Sequence, residues 1–231
     1  MVKYEYIDFQ DKKKIPDDCT EFHCDNNNLT KLPKLPDSLL ELRCNNNNLT
    51  ELPELPDSLE ILWCYSNNLT SLPELPDSLE KLICGSNKEL YKLPELPNSL
   101  KILSCIDNNL TLLPELPDSL EYLWCNGNNL EILPDLPYSL IDLRCSYNKL
   151  SELPVLPNSL INLYCYNNNL TELPVLPHSL IRLWCENNNI KYLSLNNCKV
   201  IKKCNDIKVL NNPFSTEFTS DKDFKEYLMN L

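Results

Sequence analysis

Twelve cysteines are the first candidates for chemistry in this chain, because a thiolate can act as a nucleophile, ligate zinc or form a cross-link. Nine of them, Cys24, Cys44, Cys64, Cys84, Cys105, Cys125, Cys145, Cys165 and Cys185, recur every 20 residues, with one extra residue between Cys84 and Cys105. Side chains repeated once per structural unit project in parallel, whereas zinc needs four ligands converging tetrahedrally and a disulfide needs two sulfurs turned toward each other. The column therefore reads as free, buried thiols that act as small apolar residues. Cys19, Cys198 and Cys204 lie outside it and are assigned to core positions too, with a surface-reactive thiol as the alternative.

The remaining reactive types do not assemble into a site. His23 and His178 are the only histidines and lie far apart, which leaves no Ser-His-Asp or Cys-His arrangement. Glu54, Glu74, Glu95, Glu115 and Asp135 recur once per repeat, a row of like charges that solvates a face and does not converge on calcium. Two glycines against eighteen prolines exclude Gly-rich phosphate loops. No catalytic residue, metal, cofactor or small-molecule substrate is expected, and the chain reads as no enzyme.

The elements that position these residues follow from the same period. Each unit reads L-x-x-L-x-C-x-x-N-N-L-x-x-L-P-x-L-P-x-S, clearest in Leu39, Leu42, Cys44, Asn47, Leu49, Leu52, Pro53, Leu55, Pro56 and Ser58. The segment x-L-x-C-x predicts a short strand with Leu and Cys inward and the intervening residues outward. The Asn three residues after each Cys, from Asn27 to Asn188, sits where the chain turns and predicts a buried amide ladder. L-P-x-L-P cannot be helical, because proline lacks an N–H and biases its predecessor toward extended backbone. One such coil cannot bury its own leucines, so the array needs neighbours and caps. Residues 1–18, with Tyr4, Tyr6, Ile7 and Phe9, are read as an N-terminal cap, and residues 19–190 as about nine coils. Residues 191–231 are read as degenerate coils and a C-terminal helical cap, with one or two degraded coils over Lys191 to Phe214 that keep Leu193, Leu195, Cys198, Ile201, Cys204, Leu210 and Asn212. A closing helix follows, begun by a Ser220 and Asp223 capping box, with Phe224, Tyr227, Leu228 and Leu231 as its apolar stripe.

The outward column between strand Leu and Cys reads His23, Arg43, Trp63, Ile83, Ser104, Trp124, Arg144, Tyr164 and Trp184, and it contains every tryptophan of the chain. Flanking columns add Ile61, Tyr65, Ile102, Ile106, Tyr122 and Tyr166. Coils three to eight are thus expected to expose an apolar and aromatic patch, which a soluble monomer rarely carries without use. Trp, Tyr and Arg dominate binding energy at protein interfaces, although aromatics also suit strands for their own sake. The candidate partner-binding residues are Trp63, Tyr65, Ile83, Ile102, Tyr122, Trp124, Arg144, Tyr164, Tyr166 and Trp184.

A net charge of −12 and a pI near 4.6 argue against nucleic acid and against an anionic membrane surface. No apolar run reaches the roughly 18 residues of a spanning helix, and the start lacks the apolar core of a signal peptide. A cytoplasmic, reducing location is therefore expected, and the Asn-Leu-Thr sequons at Asn28, Asn48, Asn68, Asn109 and Asn169 are read as coincidental.

This repeat fits the leucine-rich repeat. Residues 19–190 resemble the short 20-residue class found in effectors that bacteria inject into host cells, the YopM and IpaH type, which share the Leu-Pro-x-Leu-Pro arc. Cysteine at the inward strand position, with the Asn- and Lys-rich composition, also resembles the repeat proteins of giant DNA viruses, the mimivirus-like group. The resemblance implies a right-handed leucine-rich-repeat solenoid: a parallel concave β-sheet of about nine to eleven strands, a Pro-rich non-helical convex side and end caps. Some relatives append a ubiquitin-ligase domain with a Cys-x-Asp motif. Cys204, Asn205 and Asp206 match that motif superficially, but only 27 residues follow Cys204 and no neighbouring group in the sequence would activate the thiol. The implied function is non-enzymatic protein–protein interaction on the concave aromatic face, with a protein partner, a host protein if the likeness extends to biology. The alternatives are a self-associating structural protein and an adaptor that recruits targets to a separate ubiquitin ligase.

Overall fold

The computed structural model describes residues 3–5 and 14–230. It divides into two compact units, Met1–Leu120 and Glu121–Leu231. In the first unit, strands β1 (Lys3–Glu5), β2 (Glu21–His23), β3 (Glu41–Arg43), β4 (Ile61–Trp63), β5 (Lys81–Ile83) and β6 (Ile102–Ser104) pair in parallel, each with the next. The second unit stacks β7 (Tyr122–Trp124), β8 (Asp142–Arg144), β9 (Asn162–Tyr164), β10 (Arg182–Trp184) and β11 (Asp206–Lys208) in the same way. One short strand per coil, paired in chain order, is a solenoid.

The register aligns like with like. Leu42 lies beside Leu62 and Leu62 beside Leu82, and these leucines and all nine column cysteines are fully buried. Period-2 alternation alone accounts for this, since the strand's middle residue and the Cys two positions on share the inner face. The residue two after each Cys then adopts left-handed backbone, as at Asn46 (φ 53°), Asp107 (φ 53°), Asn167 (φ 53°) and Asn187 (φ 56°). Asn and Asp tolerate that conformation because their short polar side chains bond locally.

The expected asparagine ladder is present in both units. Asn47 Nδ2 donates to the carbonyls of Cys24 (2.9 Å) and Cys44 (3.0 Å), and its Oδ1 accepts from the Leu29 N–H (2.9 Å). Asn67, Asn148, Asn168 and Asn188 repeat the pattern of carbonyl contacts. A second ladder had no role assigned from sequence: each Ser of the Pro-x-Ser turn reaches back one coil. Ser58 Oγ lies 2.7 Å from the Leu39 carbonyl, and Ser78 Oγ lies 2.7 Å from that of Leu59. The Leu-Pro-x-Leu-Pro arcs form no helix, as their prolines require.

At the C-terminal end a single degenerate coil forms. Helix α1 (Leu195–Lys203) replaces the proline arc, capped by Ser194, which accepts from the Asn197 N–H. Helical periodicity corrects two expectations: Asn197, Val200, Ile201 and Cys204 face inward, whereas Leu195 is exposed and Cys198 half-buried on the other side. Asn212 extends the asparagine ladder by donating to the carbonyls of Cys185 and Val209, both at 2.9 Å. Helix α2 (Asp221–Met229) begins at the expected Ser220 cap. Phe224 and Leu228 are buried, but Tyr227 is half-exposed against Phe218, and Leu231 lies outside the described residues. Tyr4 sits in β1 beside Phe22, and the cap residues Tyr6, Ile7 and Phe9 lie outside the described residues. Among the described residues no helix is long and apolar enough to cross a membrane.

Candidate functional site

The outward strand positions carry the predicted aromatic residues, and each unit arranges them differently. In the second unit a ladder runs across successive strands. The Arg144 guanidinium lies over the rings of Trp124 (5.0 Å) and Tyr164 (5.2 Å), Tyr164 meets Trp184 edge-on (5.1 Å), and the Lys208 ammonium lies over Trp184 (3.5 Å). Tyr166 packs against Trp184 (6.1 Å) and Tyr147 (5.2 Å), and Tyr122 packs edge-on to Trp124 (6.2 Å). Cation–π and edge-to-face contacts of this kind each contribute about 0.5–1.5 kcal/mol and fix ring orientation.

Asp142 organises the centre of this ladder. Its side chain is buried; Oδ1 accepts from Trp124 Nε1 and Arg144 Nε, both at 2.8 Å, and Oδ2 accepts from Asn162 Nδ2 at 2.9 Å. Sequence reasoning missed Asp142 and Lys208; the available signal was an acidic residue in register with Tyr122 and a cation in register with Trp184. In the same unit Trp184 Nε1 of the ladder and Glu186 Oε2 are sealed from solvent without a hydrogen-bond partner. Burial also raises the Glu186 carboxyl above the usual carboxylate range.

In the first unit the ring of Trp63 lies under both Lys81 (4.4 Å) and Arg43 (5.2 Å). Ile61, Tyr65 and Ile102 are partly exposed in the same unit, and Ile83, in register with Trp63, is buried. Gly85 leaves room for Ile106, whose side chain would come within 2.7 Å of an added Cβ. The expected open patch therefore differs in one respect: apart from exposed Arg144, these side chains cover one another and present partly buried ring edges and cations. Between the first coils, Glu21, His23 and Glu41 bring one potential ligand atom each to within 4.8 Å of the others. Reading the histidines as isolated missed this triad, because its members come from two strands in register.

The proline-rich side is also differentiated. In the first unit shallow grooves between coils are lined by Glu54, Asp57, Glu74 and Asp77, then by Glu95 in the next arcs. In the second unit Asp135 continues the row, but the same position of the next two arcs carries Val155 and Val175; both valines and Tyr138 are exposed.

The cysteine column holds free thiols. Burial pushes Cys24, Cys105 and Cys145 up to about 12, and Cys64 and Cys165 well above their ordinary value. Cys204 is buried, points at the Leu180 and Val200 carbonyls, and is pushed up to about 11 by burial. A nucleophilic cysteine needs the opposite shift.

No family profile and no curated protein matches the sequence. Solved structures do. YopM from Yersinia enterocolitica is 34% identical with a TM-score of 0.74, over 86% of this chain and 48% of YopM. The functional domain of InlJ from Listeria monocytogenes, which includes a cysteine ladder, is 31% identical with a TM-score of 0.73, over 84% of this chain and 44% of its own. The leucine-rich-repeat domain of a Shigella effector is 30% identical with a TM-score of 0.55, over 87% of this chain and 73% of that domain. The chain thus spans about half the length of YopM and of the InlJ functional domain. With the 20-residue period, the strand of each coil and the asparagine ladder all in place, the chain belongs to the leucine-rich-repeat family.

Proposed function

We propose that the chain is a non-enzymatic protein-recognition module that engages a protein partner on its outward strand face. The fold is one that presents extended surfaces for protein binding. The carrying observation is the ladder of Trp124, Arg144, Tyr164, Trp184 and Lys208, held by strands in register and by buried Asp142. Such preorganised aromatic and arginine side chains lose little entropy on binding and are the commonest interface anchors. The first unit offers Trp63, Tyr65, Ile83 and Ile102, with Ile83 in register with Trp63. A non-catalytic role is supported by the inert state of Cys204, and free buried thiols suit a reducing, cytoplasmic compartment.

Recovery of binding proteins from cytosol with the wild-type chain and with a Tyr164→Ala, Arg144→Ala chain of unchanged circular dichroism tests this reading. A partner held by the first and lost by the second is expected. Equal recovery would move the site off the strand face, and concentration-dependent self-association without a partner would replace recognition by a structural role.

A further inference from the structure

Glu21, His23 and Glu41 stand together on outward strand positions of the first unit. Glu21 and His23 are two residues apart on β2, hence on one face, and Glu41 lies in register with Glu21 on β3. His23 Nε2 is 3.6 Å from Glu41 Oε1 and 4.0 Å from Glu21 Oε2. The three side chains are only 14–21% exposed. Nε2 itself is sealed from solvent and makes no hydrogen bond, an imidazole nitrogen held beside two carboxylates just beyond hydrogen-bond distance. Burial, then the nearby Arg43 and Lys3 charges, lower the imidazole from its ordinary value against the raising effect of Glu41 and Asp25.

We propose that Glu21, His23 and Glu41 form a binding site for a divalent metal ion of the zinc class on the outward face of β2 and β3. Tetrahedral zinc ligands about 2.0–2.1 Å from the ion lie about 3.3 Å apart. The triad therefore needs its carboxylates drawn toward His23 by about 0.3–0.7 Å, with no ligand pair closing by more than about 1.5 Å, and zinc can keep a fourth position for water. One nitrogen and two carboxylates suit zinc, whereas calcium takes six to eight oxygens. Arg43 Nε now donates to Glu41 Oε1, and the metal displaces it from that oxygen; Arg43 already lies over the Trp63 ring and keeps that contact.

The test uses the full chain carrying Cys198→Ser, which removes the one incompletely buried thiol. Zinc chloride is titrated while the two histidine rings are followed by NMR. Stoichiometric movement of the His23 signals with exposed His178 unmoved is expected, with calcium chloride moving neither. Calorimetry should give one zinc per chain, weakened about 100-fold or more by His23→Gln and by Glu41→Gln. His23 signals that ignore zinc, or zinc affinity unchanged in both folded variants, would overturn the proposal; the wild-type NMR result decides even if a variant does not fold.

Discussion

At the residue scale the thiols carry the sharpest expectations. Eleven of twelve cysteines are buried and Cys198 is half-buried, so a thiol reagent at pH 8 should label Cys198 alone until denaturant is added; rapid labelling of Cys204 would contradict its inert state. The same burial makes stability pH-dependent. A thiol titrates at 9.0 ordinarily but at about 12 for Cys24, Cys105 and Cys145 when folded. Between those values the unfolded chain releases protons that the folded chain keeps, so each thiol's contribution is intact below pH 9 and shrinks above it by about 1.4 kcal/mol per pH unit. Urea midpoints under reducing conditions should therefore fall steeply from pH 8 to pH 10, and a flat profile would count against buried protonated thiols. The cysteine column was legible because its period is unambiguous. The zinc-class triad was not, because residues 20 positions apart meet only once strand register is known.

At the element scale the turn after each strand is where sequence and backbone can disagree. Tyr147 occupies the left-handed position (φ 54°) that Asn or Asp fills in most coils. Left-handed backbone costs a bulky residue about 1–3 kcal/mol, against about 0.5–1.5 kcal/mol for its edge contact with Tyr166. Strain outweighs contact, so Tyr147→Asn should raise the urea midpoint; a lower midpoint would show that the ring contact dominates. Asn148 bonds the carbonyls of Cys125, Cys145 and Ser146 and accepts from the Leu130 N–H. Asn148→Ala leaves those groups buried and unpaired and should cost about 2–4 kcal/mol, measured by the same unfolding experiment. Strand, turn and arc were all readable from residue types, since each uses a local rule of alternation, left-handed tolerance or proline geometry. Helix α1 was not: once the prolines are lost, Leu195 and Cys198 fit a degraded strand as well as a helix, and only packing against the preceding coil selects the helix.

At the scale of the whole molecule, the net charge of −12 is distributed unevenly. Carboxylates line the proline-rich side of the first unit, whereas the aromatic residues of the second unit interleave with Arg144 and Lys208. Fold class could be read from sequence because a repeat imposes its period on every coil. The outward residues could be named but not their mutual packing, because the ladder depends on side-chain orientation across strands. The second unit also offers a rival surface in exposed Tyr138, Val155 and Val175 on its proline-rich side.

The affinity of a recovered partner for two matched variants separates these surfaces most directly. Trp124→Ala with Trp184→Ala removes the ladder, and Val155→Ser with Val175→Ser removes the rival row, each in a chain of verified fold. Recognition by the strand face requires the tryptophan variant to bind about 100-fold more weakly, as loss of two anchors at about 1.4 kcal/mol or more each implies, with the valine variant unchanged. Full affinity in the tryptophan variant and loss in the valine variant would contradict it and place recognition on the proline-rich side.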